Sequence, residues 1–342
     1  MRKVIRVLVV DDSLLFREVL SRGISTDLQI EVVAKAVDPF DATDKIMQFQ
    51  PDVIISDVEM PKMNGIEFIR RLLPQYPVPV IVVSAVSEAV FDAMNAGAVD
   101  FVTKPDVQSP RGVEEFINDL IRKIKIAVHA RVRPPNTLAV AKPQKMDRLS
   151  RGQNEQKVIA IGASTGGTEA IFSILKQLPF EMPAIVIVQH IPPIFSKMFS
   201  ERLDKQTQFR VKEAQTGEYL EEGTVYIAPG NQQMKVKKIG SRHKLQIAPG
   251  DKVNGHCPSV DVLFESVAQE CGEHAIGIIL TGMGYDGAKG LLAMKRRGAR
   301  TIGQDEASSV VYGMPKVAFH IGAVDKQVAL ENIPQVVCGM LR

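Results

Sequence analysis

The chain of 342 residues contains no tryptophan, three cysteines and no long apolar run. So few cysteines exclude a disulfide-stapled secreted domain and favour a reducing compartment. No stretch reaches the roughly 18 apolar residues that a membrane helix needs. The N-terminal apolar run is broken by Arg6 and stops at Asp11, so it is too short for a signal peptide. We therefore expect a cytoplasmic protein that is not embedded in a membrane.

An excess of either charge is also missing. Lys and Arg total 42 against 39 Asp and Glu, which leaves a net charge of +3. No dense basic block with interleaved aromatic residues occurs, so the composition does not predict nucleic-acid binding. Hydrophobic residues make up 45% and charged residues 24% of the chain, which is typical of a folded soluble protein. The length predicts two domains.

Short apolar segments alternate with helical patterns in two separate stretches. Residues 1–127 contain VIRVLVV, DVIIS, VPVIVVS and AVDFVTK, and residues 157–342 contain KVIAIGAS, PAIVIVQH, TVYIAPG, HAIGIILTG and GARTIGQD. This alternation indicates βαβ units around a parallel sheet in each stretch. Residues 128–156 carry three prolines and several basic residues without a sustained period, which predicts an exposed linker between two α/β domains.

Five polar residues follow four predicted strands of the first stretch. Asp11 and Asp12 come directly after VIRVLVV, Asp57 follows VIIS, Ser84 ends VPVIVVS and Lys104 ends AVDFVTK. Ligands of open parallel sheets bind at the carboxyl ends of the strands. Three carboxylates brought together there repel one another unless a hard cation such as Mg²⁺ joins them. Because a carboxylate can accept a phosphoryl group, the pattern predicts a Mg²⁺-assisted phosphoryl site.

A glycine-rich turn opens the second stretch and allows two interpretations. The motif GASTG around Ser164 fits either a phosphate-binding loop or a raised nucleophile. A dinucleotide site needs an acidic residue near the end of the next strand, but that strand ends in Gln189 and His190. The missing acid disfavours the phosphate loop.

A serine nucleophile needs a base and a group that orients the base. His190 ends the strand after Ser164, and Asp286 lies in a glycine-rich loop after a third strand. The three residues would meet at one edge of a parallel sheet, which favours a Ser-His-Asp triad. Other residues of the same types compete for the base and orienting roles: His129, His243, His256, His274, His320, Asp261 and Asp305.

The first stretch resembles the receiver domain of two-component response regulators. The resemblance rests on VDDS at 10–13, DVEMP at 57–61, Ser84 and TKP at 103–105. It implies a (βα)5 flavodoxin-like fold in which an aspartate is phosphorylated. The roles that it implies are phospho-acceptor for Asp57, metal ligands for Asp11, Asp12, Asp57 and the carbonyl of Glu59, and phosphoryl sensing for Ser84 and Lys104.

The second stretch is similar to the chemotaxis protein-glutamate methylesterases, the CheB family. The motifs that carry the similarity are IGASTGGTEAI at 161–171, QHIPP at 189–193, YIAPG at 226–230, PSVDVLF at 258–264, ILTGMG at 279–284 with DGA at 286–288, and GMP at 313–315; Tyr285, between the two segments of the glycine-rich loop, departs from the family pattern. With the receiver, the resemblance covers the whole chain except the linker. It implies a receiver domain at 1–127, a linker at 128–156 and a doubly wound, mostly parallel α/β methylesterase domain at 157–342.

The family resemblance also implies an activity and partners. The substrates would be glutamate methyl esters, and glutamine amides, of methyl-accepting chemotaxis receptors, and a chemotaxis histidine kinase would donate the phosphoryl group. Ser164 would attack, His190 would act as base, Asp286 would orient it, the Met283 amide would bind the oxyanion and Thr165 would support His190. The esterase site would need no cofactor, and the protein would be peripheral to receptor arrays.

Three alternatives remain at this point. A DNA-binding output would need a small basic helical domain, whereas the second stretch has an α/β pattern. A nucleotide-dependent oxidoreductase lacks its acidic residue. A non-catalytic binding module with a degenerate esterase site has the same sequence pattern, since the sequence does not give triad geometry.

Overall fold

The computed structural model describes residues 4–85, 88–105, 109–132 and 157–341. The chain forms two compact units, Met1–Ala139 and Val140–Arg342. The division falls within the predicted linker, of which residues 133–156 lie outside the described residues. No helix in the described ranges is both long and apolar enough to cross a bilayer.

The first unit is a five-stranded sheet with helices between its strands. All strand pairs are parallel, in the order β2-β1-β3-β4-β5, as the receiver-like fold requires. The strands are β1 Ile5–Val10, β2 Ile30–Ala36, β3 Val53–Asp57, β4 Val80–Ser84 and β5 Asp100–Thr103. The helices are α1 Leu14–Ile24, α2 Pro39–Phe49, α3 Gly65–Leu72, α4 Ala89–Asn95 and α5 Pro110–Ala127.

Burial follows the sequence pattern in this unit. Every residue of β3 and β4 is buried, which explains their near-continuous apolar sequence, because helices cover both faces of a parallel sheet. On α5 the residues at helical spacing Phe116, Ile117, Leu120 and Ile124 are buried, so this face packs on the sheet and the charged face meets solvent.

The second unit contains a seven-stranded sheet and a separate hairpin. The sheet is wholly parallel, in the order β14-β13-β12-β6-β7-β9-β8, and β10-β11 is an antiparallel pair. The strands are β6 Val158–Ala163, β7 Ala184–Gln189, β8 Arg210–Glu213, β9 Thr224–Ile227, β10 Gln233–Ile239, β11 Arg242–Ala248, β12 Ala275–Ile279, β13 Arg300–Gln304 and β14 Lys326–Val328. The helices are α6 Gly167–Gln177, α7 Pro193–Gln206, α8 Val260–Cys271, α9 Ala288–Arg296, α10 Met314–His320 and α11 Ile333–Leu341, with 3₁₀ turns at Gly272–His274 and Leu330–Asn332.

Strand β6 is the point where the strand order reverses. The chain runs from β6 to β7, β8 and β9 on one side and later to β12, β13 and β14 on the other. In doubly wound sheets, the crevice outside such a reversal is the usual ligand site. The loops after β6, β7 and β12 border this crevice, and they carry Ser164, His190 and Asp286.

A glycine on β6 lets α8 approach the reversal point closely. A Cβ added at Gly162 would lie 2.1 Å from Cγ1 of Val260, the first residue of α8, and one at Gly287 would lie 2.5 Å from the same atom. Both contacts are shorter than real Cβ contacts, so the two glycines bring the N-terminus of α8 against the edge of the sheet that carries Ser164.

Candidate phosphorylation and ester-hydrolysis sites

The three aspartates predicted for the first unit meet at the carboxyl edge of its sheet. Asp11 and Asp12 follow β1, and Asp57 ends the neighbouring strand β3. One carboxylate oxygen from each lies within 4.8 Å of the others. Asp11 and Asp57 are buried and Asp12 is exposed. In the described ranges, this is the one group of three or more His, Cys, Asp or Glu side chains that could hold a metal ion.

Lys104 forms ion pairs with two members of this group. Its Nζ lies 2.6 Å from Oδ2 of Asp57 and 3.6 Å from Oδ2 of Asp11. Burial opposes the charge of Lys104, but the hydrogen bond and charge of Asp57, with the charge of Asp11, raise the pKa of Lys104 above its ordinary value. Burial also raises the pKa of Asp11 to about 6; Lys104 opposes this rise and the Asp57 charge adds to it.

The carboxylate group fits a hard divalent cation. Oδ2 of Asp11 is buried without a hydrogen-bond donor among the described residues, and one lysine faces three carboxyl groups. Carboxylate oxygens are the ligands that Mg²⁺ prefers, and a second positive charge would offset the repulsion. The Glu59 amide donates to Oδ1 of Asp57 over 3.3 Å. Its carbonyl stays a predicted ligand.

Ser84 ends the next strand of the same edge. Its Oγ is buried and has no hydrogen-bond partner in the described part of the chain, whereas its carbonyl accepts the Lys104 amide at 2.8 Å. A buried unpaired hydroxyl is costly, so this oxygen is available for a group that arrives at the site. The five polar residues predicted from strand ends therefore lie on one sheet edge.

In the second unit, Ser164 stands on the turn between β6 and α6. Its amide donates to the Thr281 carbonyl at 3.0 Å, and its own carbonyl accepts the Gly167 amide at 2.7 Å and Nε2 of Gln189 at 2.9 Å. A Cβ at Gly167 would lie 2.1 Å from Oε1 of Gln189. Gly166 has a φ of 78°, a conformation that favours glycine. These contacts fix the backbone that presents the Ser164 hydroxyl.

His190 lies beside Ser164 because of strand register. Ala163 of β6 pairs with Gln189 of β7, so the next residue of each strand, Ser164 and His190, leaves the sheet at the same level. The His190 amide donates to the Ala163 carbonyl at 3.1 Å. Its Nε2 lies 2.9 Å from Oδ2 of Asp286. Its Nδ1 is buried and has no hydrogen-bond partner within the described ranges.

Asp286 is the most heavily hydrogen-bonded carboxylate of the site. Its oxygens accept from five donors: His190 Nε2 at 2.9 Å, Asn254 Nδ2 at 2.8 Å, Ser259 Oγ at 2.7 Å, and the Val260 and Asp261 amides at 2.7 and 3.3 Å. The two amides open α8, whose N-terminus favours negative charge. Burial raises the pKa of Asp286, but the bonds from His190, Asn254 and Ser259 outweigh it and hold the pKa well below its ordinary value.

The turn Val253–His256 brings two residues to the His190–Asp286 pair: Asn254, which the sequence did not indicate, and His256, which it indicated only as a competing base. Asn254 donates to Asp286 and also to Oδ2 of Asp261 at 2.7 Å. The His256 ring stacks on His190 with centroids 3.7 Å apart and planes 5° apart. His256 and Asp261, which competed for the base and orienting roles, therefore both lie beside the predicted pair. The signal available in the sequence is Asn-Gly, the commonest two-residue hairpin turn.

The loop after β12 closes the site on the other side of Ser164. The Gly282 amide donates to the Val311 carbonyl at 3.0 Å, while the Met283 amide has no acceptor among the described residues. A Cβ at Gly282 would lie 2.7 Å from Cβ of Ser164. Thr165 is buried, and its carbonyl accepts Oγ1 of Thr281 at 3.0 Å. Its support of His190 stays a prediction.

Two family models match this sequence. The CheB methylesterase model matches residues 159–337, which are more than half of the chain, and the response regulator receiver domain model matches residues 7–111. The chain belongs to the CheB methylesterase family. The receiver match at 7–111 lies within the first unit, and the methylesterase match within the second. The resemblance and the fold class inferred from the sequence are thus confirmed.

CheB-family relatives align with this chain over nearly its whole length. A Syntrophomonas wolfei protein named protein-glutamate methylesterase/protein-glutamine glutaminase 2 is 56% identical over 331 residues, which are 97% of this chain and 96% of that protein. A Salmonella typhi protein of the same name without the numeral is 45% identical over 335 residues, 97% of this chain and 95% of its own. The crystal structure of the Thermotoga maritima CheB methylesterase catalytic domain has a TM-score of 0.53 and 37% identity, and the match covers 54% of this chain and 99% of that one.

Proposed function

We propose that this CheB-family protein hydrolyses glutamate 5-methyl esters of methyl-accepting chemotaxis receptors, with Ser164, His190 and Asp286 as its catalytic residues. Family membership and the names of the relatives support the reaction and a role in phosphorylation-regulated chemotactic adaptation. The observation that carries the residue assignment is the hydrogen bond between His190 Nε2 and Asp286 Oδ2, which is 2.9 Å long. His190 and Ser164 directly follow Gln189 and Ala163, which pair across β7 and β6.

The acylation step follows from this arrangement. Ser164 Oγ attacks the ester carbonyl carbon, and its proton passes to His190. Asp286 holds Nε2 of the ring, so Nδ1 is the nitrogen available to take the proton. The Met283 amide donates to the oxyanion that forms, in the manner of an oxyanion hole. The intermediate collapses, the C–O bond to the methoxy group breaks, and the proton on His190 leaves with methanol.

Deacylation runs through the same residues in reverse. His190 takes a proton from water, the hydroxide attacks the glutamyl-Ser164 ester, and the proton returns to Ser164 Oγ as glutamate is released. Asp286 stays ionised throughout, because the hydrogen bonds from His190, Asn254 and Ser259 hold its pKa low, and it stabilises the imidazolium that forms in both steps. An amide substrate undergoes the same attack and releases ammonia, which accounts for glutaminase in the names of relatives.

Methanol release from methylated receptor membranes tests the assignment. We expect Ser164→Ala to lower the rate of release by roughly 10³-fold or more, as removal of a nucleophile does in other serine hydrolases. Ser173→Ala on α6 is the matched control and should release methanol like the wild type. Equal release by Ser164→Ala and the wild type would refute the nucleophile assignment, whereas no release above background by the wild type would favour a binding module with a degenerate site.

In the receiver domain, we assign phosphorylation to Asp57. Its carboxylate attacks the phosphorus of an acyl or histidyl phosphate donor, and the P–O or P–N bond to the donor breaks. Asp11, Asp12, Asp57 and the Glu59 carbonyl would hold Mg²⁺, which when bound neutralises charge on the phosphoryl oxygens. Lys104 stabilises the phosphoryl group by its charge, and Ser84 Oγ donates to it. Acetyl phosphate with Mg²⁺ should label the wild type but not Asp57→Ala; equal labelling would contradict the assignment.

We further propose that the unphosphorylated receiver restrains the esterase. The support is the fusion of the two family domains through the predicted linker 128–156, since phosphorylation can shift a docking equilibrium. Deletion of residues 1–150 should raise methanol release; unchanged or lower release by a folded fragment would contradict the restraint. The same proposal includes a chemotaxis histidine kinase as the phosphoryl donor and the absence of nucleic-acid binding. It also includes a cytoplasmic location and peripheral attachment to receptor arrays.

A further inference from the structure

The residues 253–256, Val-Asn-Gly-His, form a tight two-residue hairpin. The amides of Val253 and His256 each donate to the carbonyl of the other at 2.9 Å. Asn254 has a φ of 53° and Gly255 a φ of 84°, the left-handed pair that a type I′ turn requires and that Asn-Gly adopts most readily. A Cβ at Gly255 would meet no described atom within 4 Å, so the tip of this turn, called here the NG turn, is unobstructed.

Asn254 places its amide between two buried carboxylates. Its Nδ2 donates to Oδ1 of Asp286 at 2.8 Å and to Oδ2 of Asp261 at 2.7 Å. Asp261 and Asp286 are 3% and 2% exposed, and like charges at such burial repel strongly. Burial and then the charge of Asp286 raise the pKa of Asp261. The amide of Asn254 therefore bridges the two carboxylates.

His256 contacts His190, the hydrogen-bond partner of Asp286. Its ring is parallel to that of His190 to within 5°, at a centroid distance of 3.7 Å, which is van der Waals contact over the whole face. His190 itself is held in its plane by a single hydrogen bond, the one from Nε2 to Asp286, among the described residues. A flat neighbour at this distance blocks rotation of the imidazole about its bond to Cβ.

We propose that the NG turn positions the base of the triad: Asn254 fixes the carboxylate of Asp286, and His256 fixes the plane of the His190 ring. This inference rests on the triad of the proposed function. Neither residue needs to touch the substrate, so both are positioning residues. One turn reaches both members of the pair because the two side chains leave it two residues apart, on either side of Gly255. Misplacement of a reacting group by about 1 Å costs roughly 100-fold in rate, which sets the scale of the effect.

Two substitutions at each position separate positioning from general damage. His256→Ala removes the stacked ring, and His256→Phe restores a flat ring without a titratable nitrogen. Asn254→Gly removes the amide and keeps the left-handed backbone of the turn. Asn254→Asp keeps the shape and places a third carboxylate against Asp261 and Asp286. His274→Ala, before β12 at the opposite edge of the sheet, is the matched control.

The measurement is kcat and KM for methanol release by the full chain, with thermal unfolding as a check of folding. We expect His256→Ala to lower kcat by about 10- to 100-fold with KM within about twofold, and His256→Phe to return kcat to within about threefold of the wild type. Asn254→Gly should lower kcat by about tenfold and Asn254→Asp by more. His274→Ala should leave both constants unchanged.

Three outcomes overturn the inference. The first is wild-type kcat in His256→Ala and Asn254→Gly. The second is a His256→Phe variant as slow as His256→Ala, which would assign His256 a chemical role in place of stacking. The third is an equal loss in His274→Ala. Ser164→Ala is measured alongside: if it stays active, the triad itself fails, whereas an inactive Ser164→Ala with fully active turn variants refutes the NG turn alone.

Discussion

Replacement of Asp286 by asparagine changes one atom of the site and removes one charge. Asp286 accepts hydrogen bonds from five donors and gives none. Asparagine has the same shape, but one of its two terminal atoms is an NH₂ group that donates. The substitution therefore forces a donor against some of these five donors. Which of them lose their acceptor depends on which oxygen the NH₂ group replaces.

The two orientations of the introduced asparagine differ in cost. In place of Oδ2, the NH₂ group faces His190 Nε2 and the Val260 amide at 2.9 and 2.7 Å; the imidazole can shift its proton to Nδ1 and accept, so only Val260 loses its acceptor. In place of Oδ1, the NH₂ group faces the side-chain amide of Asn254, the backbone amide of Asp261 and the hydroxyl of Ser259. The hydroxyl can rotate and accept a hydrogen bond, but the two amides lose their acceptor. At about 1–3 kcal/mol for each buried unpaired donor, the first orientation is preferred.

The preferred orientation disables the base. With its proton on Nδ1 and its Nε2 accepting from the introduced amide, His190 has no lone pair at the nitrogen that would take the proton of Ser164. The same change of tautomer lowers kcat by about 10⁴-fold when the aspartate of a serine protease is replaced in this way. We expect a loss of that order for Asp286→Asn, together with about 1–3 kcal/mol of stability from the unpaired Val260 amide.

Single-turnover and steady-state methanol release by Asp286→Asn measure this loss, and urea unfolding measures the stability. Asp261→Asn is the matched control, because Asp261 is an equally buried carboxylate whose side chain accepts from Asn254 and from the Gly290 amide. It should retain kcat within about tenfold. Activity of Asp286→Asn above about 1% of the wild type would refute the tautomer reasoning, as would equal losses in the two variants.

Three further predictions concern packing, pH and charge. Gly282→Ala puts a Cβ 2.4 Å from Met314 Sδ and 2.7 Å from Ser164 Cβ, so it should lower the free energy of unfolding by about 1–3 kcal/mol and slow methanol release; wild-type values would contradict the contact. Because the pKa of Asp286 is lowered in the folded state, its stabilisation is present above about pH 4 and is lost as the pH falls below that value. The difference in unfolding free energy between the wild type and Asp286→Asn should then shrink as the pH falls below about 4, as urea titrations would show. Lys104→Met removes the cation 2.6 Å from Asp57, so added Mg²⁺ should raise the unfolding temperature of this variant more than that of the wild type; an equal rise would argue against the metal site.

The receiver site was predictable because ligands of open parallel sheets bind at the carboxyl ends of the strands. Asp11, Asp57, Ser84 and Lys104 each end or follow a short apolar run, and parallel strands deliver their carboxyl ends to one edge whatever their order. β2 was missed, because its sequence IEVVAKA alternates with charged residues and only its first and last residues are buried. An edge strand has only one neighbouring strand and buries fewer side chains, so its sequence shows a weaker apolar pattern.

The second unit shows the limit of the same rule. The five apolar runs that the sequence marked as strands are all central or nearly so in the sheet, whereas the edge strands β8 and β14 and the hairpin β10–β11 were not predicted. Of the site, Ser164, His190 and Asp286 were reached through strand ends. Asn254 and Ser259 were not, because they come from a turn and a helix start whose place over the sheet depends on the close approach permitted by Gly162.

The ring nitrogen that meets Asp286 depends on the order of the strands. His190 follows β7, Ser164 follows its neighbour β6, and Asp286 lies in the loop after β12, on the far side of β6. Neighbouring strands are about 4.8 Å apart, so from β7 Ser164 is one spacing away and Asp286 is in a loop roughly two spacings away. Nδ1 is the ring nitrogen nearer the backbone and Nε2 the more distant one. The distant nitrogen therefore reaches Asp286, and under the proposed triad the near one would take the proton of Ser164, the reverse of the protease arrangement.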